Sequence, residues 1–386
     1  VINDYQGCYL KSVLLLCLTV ASLFTLSGCD ADTPSTPDDP SFGAMMSNPI
    51  QAYAKVTAER DFSFPADHQS HDDFRHEWWY LTANLVGESG REYGVQWTQF
   101  RFATFAEAEE QLRAESQPDI GWNSRHVYMA HSALTTQDAH YAAEKWSRSH
   151  SQLAGVDREP FAVYLDDWRW QSTSETLFPA TLSVTHKRAG IKPHNDDFSF
   201  SLGLQSAAPF QLQGDRGYSI KSADGAVASY YYSQPYIDVE GEVIVDGVAD
   251  KVSGKGWLDR EWSSQILLDS QQGWDWFALR LSNDITLVLF QLRPNEEGDL
   301  FKSARIMDAK GNGFAINGEE IVLAPTDQTN AHPTQWQVSI PKHDINLMVT
   351  ALNPNAAMTL SIPYWEGPVR FTGSHSGKGY LEMTGY

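Results

Sequence analysis

Cysteine is nearly absent from the 386-residue chain, and its placement is informative. Cys8, Cys17 and Cys29 are the only three, and none follows residue 29. The body therefore has no disulfide and no thiolate metal site, and its stability must come from core burial. Basic residues are also scarce, with 28 Lys and Arg against 49 Asp and Glu and a formal charge of -21. Such a surface repels phosphate backbones, so nucleic acid is not an expected partner. Several catalytic signatures are missing too. Gly373-Ser-His-Ser-Gly377 lacks the spacing of a nucleophile elbow, and His76-Glu77 is followed by Trp-Trp-Tyr rather than by a zinc-protease His. No glycine-rich phosphate loop occurs. His68, His71 and His76 are close in sequence, but the segment reads as a loop entering a strand, so neither a metal nor a cofactor is expected.

What is abundant is apolar and aromatic. Hydrophobic residues make up 42%, and there are 13 Trp. Trp requires apolar surroundings and a partner for its N–H, so this number suits cores and cavities. The longest apolar run, Ser12 to Phe24, follows Lys11 and is too short for a stable membrane span. It leads into Leu26-Ser27-Gly28-Cys29, which resembles a bacterial lipobox with Cys29 as the lipidation site. Simple cleavage without a lipid is the alternative. Asp30 resembles an inner-membrane retention signal, implying a periplasm-facing protein anchored in the bacterial cell envelope. Residues 1–28 are thus read as a signal peptide. Residues 29–58, with the Pro- and Asp-rich stretch 32–40, are read as a tether.

Beyond residue 58 short alternating strands dominate. Trp79, Leu81, Ala83 and Leu85 alternate with Trp78, Tyr80, Thr82 and Asn84, and residues 198–204 alternate equally well. Residues 285–292 are apolar on both faces, as in a buried strand. Only Ala106 to Ser116 reads as a helix longer than two turns. The fold class is all-β, built of sandwiches or barrels. A composition shift near Gln234-Pro235 divides the body into residues 59–235 and 236–386.

Three clusters could carry chemistry. In Gly254-Lys-Gly-Trp-Leu-Asp-Arg-Glu-Trp-Ser263, a strand puts Trp257, Asp259 and Glu261 on one face and Leu258, Arg260 and Trp262 on the other. Two carboxylates beside an indole in a cavity would form a proton-donor site, with burial and the like charge raising one pKa. The competing reading is a surface strand with its carboxylates paired to Arg260. In His76-Glu77-Trp78-Trp79-Tyr80, Glu77 is either catalytic or a structural partner of Arg101. In Gly273-Trp-Asp-Trp-Phe277, Trp274 and Trp276 share one face and either bind substrate or pack a core.

Together these segments resemble the AttH family of lipocalin-like proteins. The resemblance includes Asp67-His68, Phe74 to Leu85, Gly90 to Gly94, Phe100-Arg101, Ala130-His131, Trp146 to Arg148, Leu153 to Gly155 and Asp167-Trp168. It continues through Trp257 to Trp262 and Gly273 to Phe277 to the ending Gly379 to Tyr386, covering about residue 60 onward. It implies two lipocalin-like antiparallel β-barrels packed together. It also implies kinship with bacterial carotenoid 1,2-hydratases and, more distantly, fungal lipocalin-like Diels–Alderases. The carotenoid hydratases carry their catalytic Asp in a motif similar to Gly-Tyr-x-Asp-His-Asn-Trp-Gly, and Asp259 of Gly256 to Ser263 matches that acid. Trp257 stands in place of Tyr, Arg260 of His and Glu261 of Asn.

The resemblance therefore implies a cofactor-free, hydratase-type lyase acting on an apolar unsaturated substrate. Asp259, Glu261 and Glu77 would supply acid–base groups, and Trp257, Trp274, Trp276, Trp79, Tyr80 and His76 would contact substrate. The alternative is a non-catalytic carrier of an apolar ligand, partnered with an envelope ABC transporter. A secreted hydrolase, a label that family members often carry, would need a nucleophile or metal that the sequence does not offer.

Overall fold

The computed structural model describes residues 53–104, 124–187, 197–265, 267–296 and 298–386. Cys29, Asp30, the signal segment, the tether up to residue 52 and the expected helix 106–116 lie outside these. Nearly all described secondary structure is β, in two curled antiparallel sheets that form a nearly closed barrel and a half-barrel.

The first sheet contains β1 (His76–Gly87), β2 (Glu92–Ala103), β3 (His126–Thr135), β4 (His140–Arg148), β5 (Ala154–Arg158), β6 (Phe161–Leu165) and β7 (Trp168–Ser172). It continues with β8 (Ala180–His186), β9 (Phe198–Gln205), β10 (Gln211–Leu212), β11 (Tyr218–Ile220), β12 (Ala228–Val245) and β13 (Val248–Ser263). Its order is β4-β3-β2-β1-β13-β12-β9-β8-β7-β6-β5, with β10 and β11 also pairing with β12. The second sheet contains β14 (Gln271–Arg280), β15 (Ile285–Pro294), β16 (Phe301–Asp308), β17 (Gly313–Asn317), β18 (Val322–Thr329) and β19 (His332–Ile340). It is completed by β20 (Ile345–Ala351), β21 (Ala357–Met358), β22 (Tyr364–Gly373) and β23 (Gly377–Met383). Its order is β17-β16-β15-β14-β23-β22-β20-β19-β18, with β21 on β22.

The break between the sheets falls between β13 and β14, in residues 264–270, and not at Gln234-Pro235. Pro235 instead lies in a register shift of β12 between Gln234 and Ile237. Proline cannot donate to a ladder, and a bulge is one of the few places in a sheet that tolerates it. The composition shift therefore marked a bulge within one long strand. The tether reading of 29–58 also runs too far, because residues 53–57 already dock on the first sheet. Tyr53 Oη donates to Ala103 O at 2.9 Å, and Thr57 N donates to Tyr230 Oη at 2.9 Å.

Strand alternation separates two cores. One face of the first sheet points into its barrel, where Trp79, Leu81, Val95, Trp97, Trp168, Trp170, Leu258 and Trp262 are almost fully buried. This lumen is packed with side chains. The opposite faces of β1, β2 and β13 meet β14, β15, β22 and β23 of the second sheet through Tyr80, Phe100, Trp257, Trp276, Phe290 and Tyr380. The site lies on this seam.

Candidate functional site

A cavity opens between the two sheets. It holds about 750 Å³ of empty space, including the part open to solvent. Trp78, Tyr80, Phe100, Trp274, Trp276 and Phe290 form its aromatic wall, and Lys221, Tyr231, Asp259, Glu261 and Glu382 bring polar groups to it.

Asp259 is buried beside β1 and β12, the neighbours of β13. Its Oδ1 accepts from Trp257 Nε1 at 2.7 Å and from Ser233 Oγ, and its Oδ2 accepts from Tyr231 Oη at 2.6 Å. The register explains the set, since Ser233 is the direct cross-strand partner of Asp259 and Tyr231 that of Glu261. Trp257 is two residues away on the same face. Burial pushes the Asp259 carboxyl up to about 7. The Ser233, Tyr231 and Trp257 donors pull it down, and the Glu261 charge adds to the rise. Glu261 is itself held by Ser229 Oγ and by Lys221 Nζ at 2.9 Å. Lys221 Nζ also lies 4.5 Å from the Phe290 ring centroid and 4.9 Å from that of Tyr231.

The second sheet adds a carboxyl that the sequence reading did not single out. Glu382 of β23 accepts from Trp274 Nε1 at 2.9 Å. Burial pushes it up to about 7, and the charges of Asp259 and Glu261 raise it further. Its direct cross-strand partner, Glu366 of β22, is buried and accepts from Tyr80 Oη at 2.7 Å. Burial and the Glu382 charge push Glu366 well above the ordinary carboxyl range. The signal was the one noticed at Glu77: a carboxylate inside an aromatic strand, here in Tyr364-Trp-Glu366 and Tyr380-Leu-Glu382. Tyr231, Ser233 and Lys221 left no such signal, because hydroxyls and one lysine are ordinary in a strand.

The predicted site residues divide by face. Asp259, Glu261, Tyr80, Trp274 and Trp276 line the cavity. Trp257 reaches it through its bond to Asp259. Glu77, Trp79 and His76 do not line it, which corrects their expected roles. Glu77 and Trp79 point to the barrel side. There Glu77 is fully buried between Arg101 and Arg260, and His71 N donates to Glu77 Oε1 at 3.0 Å. Burial would raise the Glu77 carboxyl, but the two guanidinium groups hold it well below the usual carboxylate range. Arg260 also stacks over Trp79, 3.8 Å from its centroid. Glu77 is thus the structural ion pair that the sequence left open, and Arg260 pairs with it rather than with Asp259 or Glu261. His76 is buried behind Trp78, and burial pushes its imidazole down to about 3.

Nor do the three histidines converge. His68 Nδ1 is 2.8 Å from Tyr232 Oη, and His71 stacks on Trp262 between Asp67 and Glu77. Among the described residues no three His, Cys, Asp or Glu side chains come together as a metal site.

The AttH-like family model matches residues 55–386. The chain belongs to the AttH-like family. A crystal structure of a Nitrosomonas europaea protein assigned to AttH is 28% identical, with a TM-score of 0.72, and the match covers 86% of this chain and 99% of that one. Kievitone hydratase from Nectria haematococca has the same fold at 13% identity, with a TM-score of 0.60 and coverage of 88% and 98%. Comparison with curated protein sequences gave no match. Family membership assigns the two-sheet fold to this AttH-like chain. The arrangement of acids along the seam is read from its own residues.

Proposed function

We propose that this AttH-like protein is a cofactor-free, hydratase-type lyase that adds water to a carbon–carbon double bond of an apolar molecule. The observation that carries the reading is Asp259, a carboxyl near neutrality with three fixed donors, facing an aromatic cavity that holds a second such carboxyl. Two titratable groups poised at the working pH are what proton transfer to and from carbon requires. The kinship with a fold whose fungal representative is named a hydratase supports the same reaction class.

Protonated Asp259 gives its proton to one alkene carbon, and the π electrons form the new C–H bond. The neighbouring carbon becomes cationic, and the aromatic wall stabilises it by about 0.5–2 kcal/mol per ring. Water attacks that carbon while ionised Glu382 takes its proton, leaving an alcohol. Exchange with solvent returns the proton to Asp259. Trp257 and Ser233 keep the Asp259 carboxyl facing the substrate. Glu261, paired with Lys221, contributes a negative charge that helps to raise the pKa of both groups.

The second half of the reading concerns location. Leu26-Ser27-Gly28-Cys29, after a short apolar run, supports a lipid anchor in the cell envelope, where apolar substrates partition. The test is to incubate the protein with an envelope lipid extract and follow products by mass spectrometry. A product heavier by one water is expected. Asp259→Asn should cut its formation by about 10²–10⁴-fold while the protein stays folded. An Asp259→Asn protein with full activity would remove the assignment. An apolar molecule retained unchanged by both proteins would mark a carrier, with or without an envelope transporter as partner.

A further inference from the structure

A second groove on the same seam has the opposite charge character. It holds about 250 Å³, partly open to solvent, and Lys255, Arg280 and Lys378 line it together with Thr82, Asn84 and Trp257. Three cations and no carboxylate in one lining is unexpected in a chain of net charge -21. The two lysines have partners, Asp238 for Lys255 and Glu92 for Lys378, with Arg370 also on Glu92.

Arg280 differs. It is partly buried, and among the described residues no carboxylate lies within ion-pair distance of it. Its Nη2 donates to Pro235 O at 2.6 Å and to Gly256 O at 3.3 Å. The Nε and Nη1 donors have no protein acceptor. Burial pulls the guanidinium below its ordinary value. Besides the two carbonyls, the Tyr236 ring lies 5.7 Å from the guanidinium and the Asp238 charge acts on it from beyond ion-pair distance. These offset only part of the desolvation, and an external anion would offset more. Guanidinium N–H groups suit an oxyanion in particular, because two parallel bonds form to one planar or tetrahedral group.

We infer that Arg280, with Lys255 and Lys378 on the rim, forms a binding site for a phosphate-type oxyanion between the two sheets. The strand order builds it. β13 contributes Lys255, β14 Arg280 and β23 Lys378, and the β12 bulge at Pro235 supplies the carbonyl that orients the guanidinium. Trp257 separates this groove from the acid cavity. Its ring lines the groove while its N–H holds Asp259. The site does not depend on the hydratase reading.

The test is calorimetric titration of inorganic phosphate into the full chain at low ionic strength. A parallel arm uses phosphatidylcholine vesicles containing phosphatidic acid. One phosphate per chain is expected for the wild type. Arg280→Gln should weaken it by on the order of ten- to a hundredfold, as for loss of charged hydrogen bonds. Lys378→Gln should weaken it less. Lys378 is partly exposed, so that variant will fold, and circular dichroism checks both proteins. If Arg280→Gln does not fold, the rim double variant Lys255→Gln/Lys378→Gln takes its place. Vesicle binding that Arg280→Gln abolishes, without binding of free phosphate, would assign the oxyanion to a lipid headgroup. Failure of both probes to bind the wild type, or equal binding to the wild type and the variants, would overturn the site.

Discussion

At the residue scale, the decisive contest is around the Asp259 carboxyl. Desolvation favours its neutral form, and three hydrogen-bond donors favour its anion. The outcome near 7 is a balance, so removing one donor should move it in a known direction. Tyr231→Phe deletes the donor to Oδ2 and shifts the balance toward the neutral acid. The Asp259 pKa then rises. In the proposed mechanism Asp259 must be protonated and Glu382 ionised, so activity should peak near neutrality and fall on either side. The high-pH limb reports loss of the Asp259 proton and should move to higher pH in Tyr231→Phe. A pH–rate profile measures this, and an unmoved high-pH limb would separate Asp259 from the acid role.

At the element scale, strands β1 and β13 each do two jobs on their two faces. In β13, Asp259 and Glu261 serve the seam while Arg260 and Trp262 serve the barrel. In β1, Tyr80 faces the seam and Glu77 the barrel. This alternation was readable in the sequence, and it grouped Asp259 with Glu261 and Glu77 with Trp79. It could not say which face of β1 joined which face of β13. The direct pairing of Tyr80 with Asp259 and of Glu77 with Trp262 decides that. The consequence is testable. Glu77→Gln should cost about 3–5 kcal/mol, because it leaves two buried guanidinium groups without their anion. Urea denaturation measures the loss. The pH profile of activity should stay unchanged, since Glu77 faces away from the cavity. A Glu77→Gln protein with normal stability and an altered profile would reverse the assignment of faces.

At the scale of the whole molecule, the working space belongs to neither barrel alone. The lumen of the first sheet is filled with Trp and aliphatic side chains, and the aromatic cavity lies on the seam instead. Close approach of the sheets is set partly by Gly94 of β2, where a Cβ would lie 2.4 Å from Pro368 Cγ of β22. Gly94→Ala should therefore wedge the sheets and cost about 1–3 kcal/mol, read as a lowered melting temperature. Gly203→Ala is the control, because its Cβ would meet only Glu240 O at 3.5 Å. Equal effects of the two substitutions would argue against a tight contact at Gly94.

The sequence by itself determined the all-β class, the absence of disulfides and thiolate metal sites from the body, the AttH-like resemblance and the grouping of Trp257, Asp259 and Glu261 on one strand face. These follow from local quantities: residue type, period-two alternation and motif spacing. Tertiary structure alone decided that Glu382 joins Asp259, that Glu77 is an ion-pair partner, and that β12 runs unbroken through Pro235. It also decided that Lys255, Arg280 and Lys378 meet. The physical reason is the same in each case. Burial and charge proximity arise between strands far apart in sequence, and these two quantities set the pKa of a carboxyl and the need of a cation for an anion.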